Sequence, residues 1–251
     1  MALLDVQNLT KDFGGLRAND DISFSLAKGE LLGLIGPNGA GKTTLFNCIS
    51  GMYPVTSGQI VFEGVNVTNL KAHEIARLGL ARTFQVYVAA GDLSVAENVM
   101  VGCFMHTRST SQAKKQTNKI LEDLRLHDLA DNLVSELPVA AQKRVTMATA
   151  LGTDPTLLLL DEVAAGLNPS EIDEILTTIQ HIHSDLGITV MLIEHVMELV
   201  MRISQRVIVL DYGKKIAEGN PEDIAKNPQV IQAYLGERYV KEHSGNGART
   251  Q

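Results

Sequence analysis

The hydrophobic pattern changes character three times along the chain. Four short runs, LLGLIG at 31–36, TLLLLDE at 156–162, TVMLIEH at 189–195 and RVIVLDYG at 206–213, are almost wholly apolar and are bounded by turn residues. Between two of them, residues 170–185 carry Ile172, Ile175, Leu176, Ile179 and Ile182, a spacing that gathers them on one helix face. Strands apolar throughout and separated by amphipathic helices predict a mainly parallel sheet with helices on both faces, an α/β fold. The N-terminal part reads differently. LDVQNLTKDF, DDISFSLAKGE and GQIVFEGVNVT alternate apolar and polar positions and are joined by glycines and polar turns. They predict a small antiparallel sheet beside the parallel one. From about 90 to 152 strand signals vanish, and SVAENVMVG, TNKILEDLRLHDLADNL and QKRVTMATALG predict helices, with HTRSTSQAKKQ at 106–116 as a loop or an exposed helix start. No internal repeat is present, and after Leu235 the pattern dissolves into a polar tail, expected to be mobile.

The length of 251 residues suits one large core with a lobe grown from it, so the expected division is a single domain over 1–236, its helical lobe at about 86–152, and a tail at 237–251. No apolar run approaches the roughly 20 residues needed to cross a bilayer. The start, MALLDVQNLTKDF, has neither the basic nor the apolar region of a secretory signal, so a cytoplasmic setting is expected. Cys48 and Cys103 then read as two small buried hydrophobes, although a pair is chemically open. A net charge of −7 provides no basic face for nucleic acid, so any bound anion must be held by a local device.

Such a device is present. GPNGAGKT, from Gly36 to Thr43, fits G-x-x-x-x-G-K-[ST], follows an apolar strand and precedes a helix containing Leu45, Phe46 and Ile49. In this context Gly36, Asn38, Gly39, Ala40, Gly41, Lys42, Thr43 and Thr44 form the phosphate cradle of a P-loop NTPase core. Backbone N–H groups and the helix N-terminus face the phosphates, Lys42 reaches the outer ones, and the Thr43 hydroxyl is a Mg²⁺ ligand. ATP and Mg²⁺ are the cofactors expected. Asp161 and Glu162 end an apolar strand, at the sheet edge where ligands bind in open α/β sheets. Asp161 is a candidate for the metal or its water, and Glu162 for the group that orients or deprotonates an attacking water. His195 closes another apolar strand at the same edge. Taken alone, it and Gln85 read equally well as structural residues.

Phosphate loop, Gln85, helical lobe, LLLLDE and His-bearing strand follow one another in the order and approximate spacing of an ABC transporter ATP-binding subunit, which the chain resembles over about 1–236. Within that family, GLARTFQ, AAGLNPSE, LIEHVMELVMRISQRVIVLDYGKKIAEGNPEDI and VIQAYLG are similar to the branched-chain amino-acid importer type, whose relatives include urea and amide uptake systems. The resemblance implies that Phe13 stacks on adenine and that Gln85 touches Mg²⁺ and water while relaying nucleotide state. It implies that Glu162 is the catalytic carboxylate, His195 the switch histidine near the γ-phosphate, and Gly166-Leu167-Asn168-Pro169 the loop meeting a partner cassette. It also implies a separate transmembrane permease, an external solute-binding protein acting indirectly, and residence at the cytoplasmic face of a bacterial-type membrane. Residues about 86–103 are the candidate docking face for the permease.

One segment departs from the family. The signature helix of these proteins begins Leu-Ser-x-Gly-Gln. Here Leu137, Pro138, Val139, Ala140, Ala141 and Gln142 replace serine by proline, glycine by alanine and glutamine by alanine. Proline offers neither the hydroxyl nor an N–H to a γ-phosphate, although the following amides and the helix dipole remain. The signature of one cassette serves the ATP of its partner, so the resemblance implies that a homodimer has two damaged sites and a heterodimer one. A heterodimer with a second cassette is therefore expected. The alternative is a soluble regulatory ATP switch with slow turnover. A chromosome-associated ATPase is disfavoured by the acidic charge and missing coiled coil, and a translation-associated type by the single cassette.

Overall fold

A computed structural model describes residues 2–83, 90–195 and 197–234. The chain runs through β1 (Ala2–Phe13), β2 (Leu16–Ala27), β3 (Leu31–Ile35), α1 (Lys42–Ile49), β4 (Ser57–Phe62), β5 (Val65–Asn66), α2 (Ala72–Arg77) and β6 (Leu80–Arg82). A helical middle follows, with α3 (Val95–Cys103), α4 (Thr110–Asp123) and α5 (Val139–Leu151). The last part holds β7 (Leu157–Asp161), α6 (Pro169–Gln180), β8 (Thr189–Ile193), α7 (Met197–Ile203), β9 (Arg206–Asp211), β10 (Lys214–Gly219) and α8 (Pro221–Lys226).

The main sheet has the order β10-β9-β3-β8-β7-β6, parallel except for β10, which turns back on β9. β3, β7 and β8 are buried at every position, and this is why their sequences do not alternate. Their pleat nevertheless divides them between two cores. Leu158, Leu160, Val190, Leu192, Val207 and Val209 pack with α3, α5, α6 and α7. Leu32, Leu34, Leu157, Leu159, Met191 and Ile193 pack on the opposite face, against α1 and the second sheet, ordered β2-β1-β4-β5. That antiparallel sheet shares this core with α1 and α2, on a face expected to be covered by helices alone, and its β2 meets the edge strand β10.

Several boundaries differ from expectation for local reasons. α4 begins at Thr110, inside the polar stretch, where Ser109 accepts the Gln112 N–H as an N-cap. It ends at Asp123 because Arg125 takes φ 54°, so the expected helix to 133 becomes turns and two short 3-10 segments. The stretch 170–185 is α-helical to Gln180 and closes in a π-type turn. α2 and β6, each too short to carry a periodic signal, were not expected. Cys48 and Cys103 are both free, and they lie in the two different cores, so they do not pair. Burial pushes the Cys48 thiol up to about 11. No helix of the described residues is long and apolar enough to cross a membrane.

The helical middle is not a separate body. Its apolar residues join one core with the main sheet, and α3 meets α5 through a pair of glycines. A Cβ on Gly102 would stand 2.2 Å from the Thr149 carbonyl oxygen, and one on Gly152 would stand 2.8 Å from that of Val99. Because the obstacle is backbone, Gly102→Ala forces the helices apart. It is expected to lower unfolding free energy by about 1–3 kcal/mol, seen as a lower urea midpoint at unchanged slope.

Candidate functional site

The turn between β3 and α1 is shaped by three glycines with positive φ, two of them pinned by neighbouring backbone. A Cβ on Gly36 would lie 2.1 Å from the Leu210 carbonyl oxygen, and one on Gly41 would lie 2.3 Å from that of Ala18. Neither position admits another residue without moving the turn. Gly41 caps α1 from the left-handed region, at φ 97°. No side chain caps the helix, and its first turn has no acidic residue. The leading amides are thus left for an anion. Lys42 is 5% exposed, and its Nζ donates to the carbonyls of Gly36 at 2.6 Å and Pro37 at 2.9 Å, so the ammonium is curled inside the loop. Asn19 Nδ2 and the Gly213 N–H brace the loop from outside, through Gly41 O and Ala40 O.

A cleft of about 420 Å³ opens over this loop, lined by residues 38–44 together with Phe13, Arg17, Glu162, His195 and Tyr212. Phe13 stands at the end of β1, half-exposed, with the Tyr53 ring edge-on at 5.5 Å and Lys11 Nζ 4.7 Å from its centroid. It offers a π face at the rim, which suits a nucleobase. Glu162 and His195, distant in sequence, meet there because β7 and β8 are paired in parallel and end together, with Asp161 opposite Ile193. The His195 Nε2–Glu162 Oε1 separation is 2.6 Å. Glu162 takes φ 50°, an uncommon conformation for a side-chain-bearing residue and one that marks strain at a site.

Asp161 does not line that cleft. It is 1% exposed, and its Oδ2 accepts from Arg82 Nη2 at 2.7 Å, while its Oδ1 is buried without a partner among the described residues. Burial pushes its carboxyl up, and the Arg82 guanidinium pulls it down. Arg82 also donates to Asn47 Oδ1 and Ser50 Oγ on and just after α1, so β6 is tied to the helix that follows the phosphate loop. Sequence reasoning missed this arginine because a single charge after a two-residue apolar run carries no periodic signal. Two further charged groups were also missed. Glu194, 2% exposed, accepts the Ala164 N–H at 2.8 Å, and Lys143 Nζ donates to the Glu162 carbonyl at 3.3 Å. Glu194 had a readable sign, a carboxylate closing a buried strand, as Glu162 does. Gln85 lies outside the described residues.

The sequence profile described as ABC transporter matches residues 19–165, more than half of the chain, and that of the branched-chain amino acid ATP-binding cassette transporter matches 214–240. The chain belongs to the ABC transporter family. This cassette is 39% identical over 250 residues to the high-affinity branched-chain amino acid transport ATP-binding protein BraF of Pseudomonas aeruginosa, covering 94% of this chain and 98% of that one. It is 40% identical over 250 residues to LivG of Escherichia coli, of the same description and coverage, and 33% identical over 240 residues to the lipopolysaccharide export system ATP-binding protein LptB of Escherichia coli, covering 95% and 99%. A crystal structure of an ABC transporter's ATP-binding cassette in its ADP conformation superposes with TM-score 0.86 at 31% identity, over 94% of this chain and 99% of that one. The protein is therefore an ATP-binding and ATP-hydrolysing subunit of an ABC transporter.

In this cassette the divergent signature segment still starts a helix. Pro138 stands at the N-cap of α5, immediately before its first helical turn, and has extended ψ of 150°. No side chain caps the helix, and no acidic residue lies in its first turn. The Gln142 N–H donates to Pro138 O, and its side-chain amide turns back to Leu137 O, so Gln142 serves the turn itself. Ala140 and Ala141 are buried, whereas Val139 is half-exposed. None of 137–142 lines the cleft over this chain's own phosphate loop.

Burial raises the Glu194 carboxyl to about 7, against the help of the Ala164 amide and Lys143 and with Glu162 opposing ionisation. A carboxyl whose folded value lies above its unfolded one stabilises the fold fully at acid pH and loses that contribution as pH rises through 7. Glu194→Gln keeps the acceptor without the charge. Its stability relative to the parent is expected to rise between pH 5 and pH 8 by roughly 2–3 kcal/mol, measured by denaturant unfolding at both pH values.

Proposed function

We propose that this cassette powers an importer of branched-chain amino acids or related small polar solutes, working with transmembrane permease subunits at the cytoplasmic face of a bacterial-type membrane. The observation that carries the cargo class is the match of residues 214–240 to the branched-chain amino acid cassette profile, supported by BraF and LivG at 39% and 40% identity. The LptB likeness at 33% concerns the cassette they have in common. Lys42 and the amides of residues 39–44 hold the phosphates, Phe13 carries the adenine, Glu162 activates the water, and His195 reports the γ-phosphate to it.

Mg²⁺ fits the residues present. The buried, unpartnered Asp161 Oδ1 is a hard oxygen awaiting a cation, and the Thr43 hydroxyl begins α1 beside the phosphate loop. Among the described residues no group of three acidic, His or Cys side chains is placed to hold a metal ion by itself, as suits an ion that draws most of its ligands from phosphate and water. Thr43 and Asp161 would hold it, with Gln85 as the third ligand, and it would neutralise charge on the transferred phosphate.

A second cleft, of about 700 Å³, lies between α2, β6, α3 and α5 and is lined by Met52, Ala76, Leu80, Val101, Phe104 and Met105 among others. Val101, Phe104, Met105 and Met52 are exposed apolar residues at its mouth. A short amphipathic helix of the permease suits such a groove. The described part of the expected docking face, 90–103, supplies Val101 and Gly102 to this cleft; 86–89 lie outside the described residues. Arg82 lines it too, so its occupant bears on the partner of Asp161.

The altered signature supports a heterodimer, in which ATP on this chain is turned over against the intact signature of a second cassette. Capture of the tagged chain from native membranes is expected to bring down an integral membrane subunit and a second cassette, with ATPase activity that Glu162→Gln abolishes. The chain alone is expected to turn over ATP about 10²–10³ times more slowly, the loss of one donor to developing charge. Full ATPase activity from a homodimer of this chain contradicts the proposal.

A further inference from the structure

The backbone of Glu162 sits at φ 50°, a conformation that costs on the order of 1–3 kcal/mol and persists only where surroundings enforce it. The Ala165 N–H, which donates to Glu162 O at 3.3 Å, closes the turn, and three further contacts act on it. The Glu162 N–H donates to Ile193 O at 2.9 Å, the Glu162 carbonyl accepts from Lys143 Nζ at 3.3 Å, and two residues on the Ala164 N–H donates to Glu194 Oε1 at 2.8 Å. The first contact belongs to strand pairing. The other two come from charged side chains, Lys143 in the second turn of α5 and Glu194 at the end of β8.

Burial lowers the Lys143 ammonium against the fields of Glu194 and Glu162, and Glu194 is almost wholly removed from water. A buried charge such as Glu194 is often replaceable by an apolar group without loss of stability, so its placement needs another reason, whereas Lys143 is half-buried. The Lys143 ammonium interacts with both carboxyl groups, Glu162 and Glu194, which otherwise oppose each other. The groups facing Glu194 are Glu162 from the end of β7, Lys143 from α5, and the amides of Ala164 and His195.

We propose that Lys143 and Glu194 are positioning residues for ATP hydrolysis, holding the Glu162 peptide and the following loop in the arrangement that aims the Glu162 carboxylate, and tying that arrangement to α5. The proposal rests on the reading of Glu162 as the catalytic carboxylate and of the α5 N-terminus as facing the partner's nucleotide. Lys143 lies one turn into the helix that begins at the altered signature. A shift of that helix start therefore moves the ammonium on the Glu162 carbonyl. Events at the partner's ATP reach this chain's own water-activating group by one side chain.

The test uses the assembled ATPase captured through a tag on this chain, carrying Lys143→Met, Lys143→Arg or Glu194→Gln. Lys143→Met is expected to lower kcat about ten- to a hundredfold, as small misplacements of a catalytic group do, with KM for ATP within about twofold and the melting temperature unchanged or higher. Lys143→Arg is expected to recover most of the rate, and Glu194→Gln to lower kcat without raising KM. Parent kcat in Lys143→Met overturns the proposal, as does a loss that tracks melting temperature or that arginine does not recover. A parent assembly without ATPase activity overturns the underlying reading of function instead.

Discussion

Parallel pairing of β7, β8, β3 and β9 brings their carboxyl ends to one edge, and the chemistry of the molecule depends on that alignment. The phosphate loop leaves β3, Asp161 and Glu162 leave β7, and Glu194 and His195 leave β8, so residues far apart in sequence meet without any device except strand register. A one-residue slip would exchange the two faces of each strand and turn Asp161 and Glu162 to the wrong sides. Register is fixed here from both sides, because each strand buries alternate residues in two different cores. The two cores around the sheet are thus also what hold Glu162 2.6 Å from His195.

The same alignment has an electrostatic cost, which the chain meets locally. Asp161, Glu162 and Glu194 crowd carboxylates at one dry edge, and each has a designated companion. Arg82 takes Asp161 Oδ2, His195 takes Glu162 Oε1, and the Ala164 amide takes Glu194, while the Lys143 ammonium is attracted by the last two acids. Three of these companions come from elements outside the core of the motif: the edge strand β6, the signature-bearing α5 and the loop after β7. Each pairing therefore ties the nucleotide site to a part of the molecule that faces something else, whether the apolar cleft lined by Arg82 or the exposed start of α5.

Much of this is legible in the sequence. The phosphate loop is readable because its function needs glycine at particular backbone positions, and Gly36 and Gly41 prove to be hemmed in by the Leu210 and Ala18 carbonyls. The buried strands are readable because burial on both faces removes alternation. What escaped were features set by partners in space: the Arg82–Asp161 pair across 79 positions, the Lys143–Glu162 contact, and the end of α4 at the left-handed Arg125. The antiparallel sheet was read from its alternation, but the core it shares with the main sheet depends on which faces meet, and a linear pattern does not encode that.

In the proposed site ATP is held by the loop from Gly36 to Thr44, while Glu162 acts only in turnover. Equilibrium titration of ATP into the parent, Lys42→Ala and Glu162→Gln chains tests it most directly. Glu162→Gln is expected to bind like the parent and Lys42→Ala about ten- to a hundredfold more weakly, the worth of a charge-assisted hydrogen bond to phosphate. Parental affinity in Lys42→Ala would contradict it.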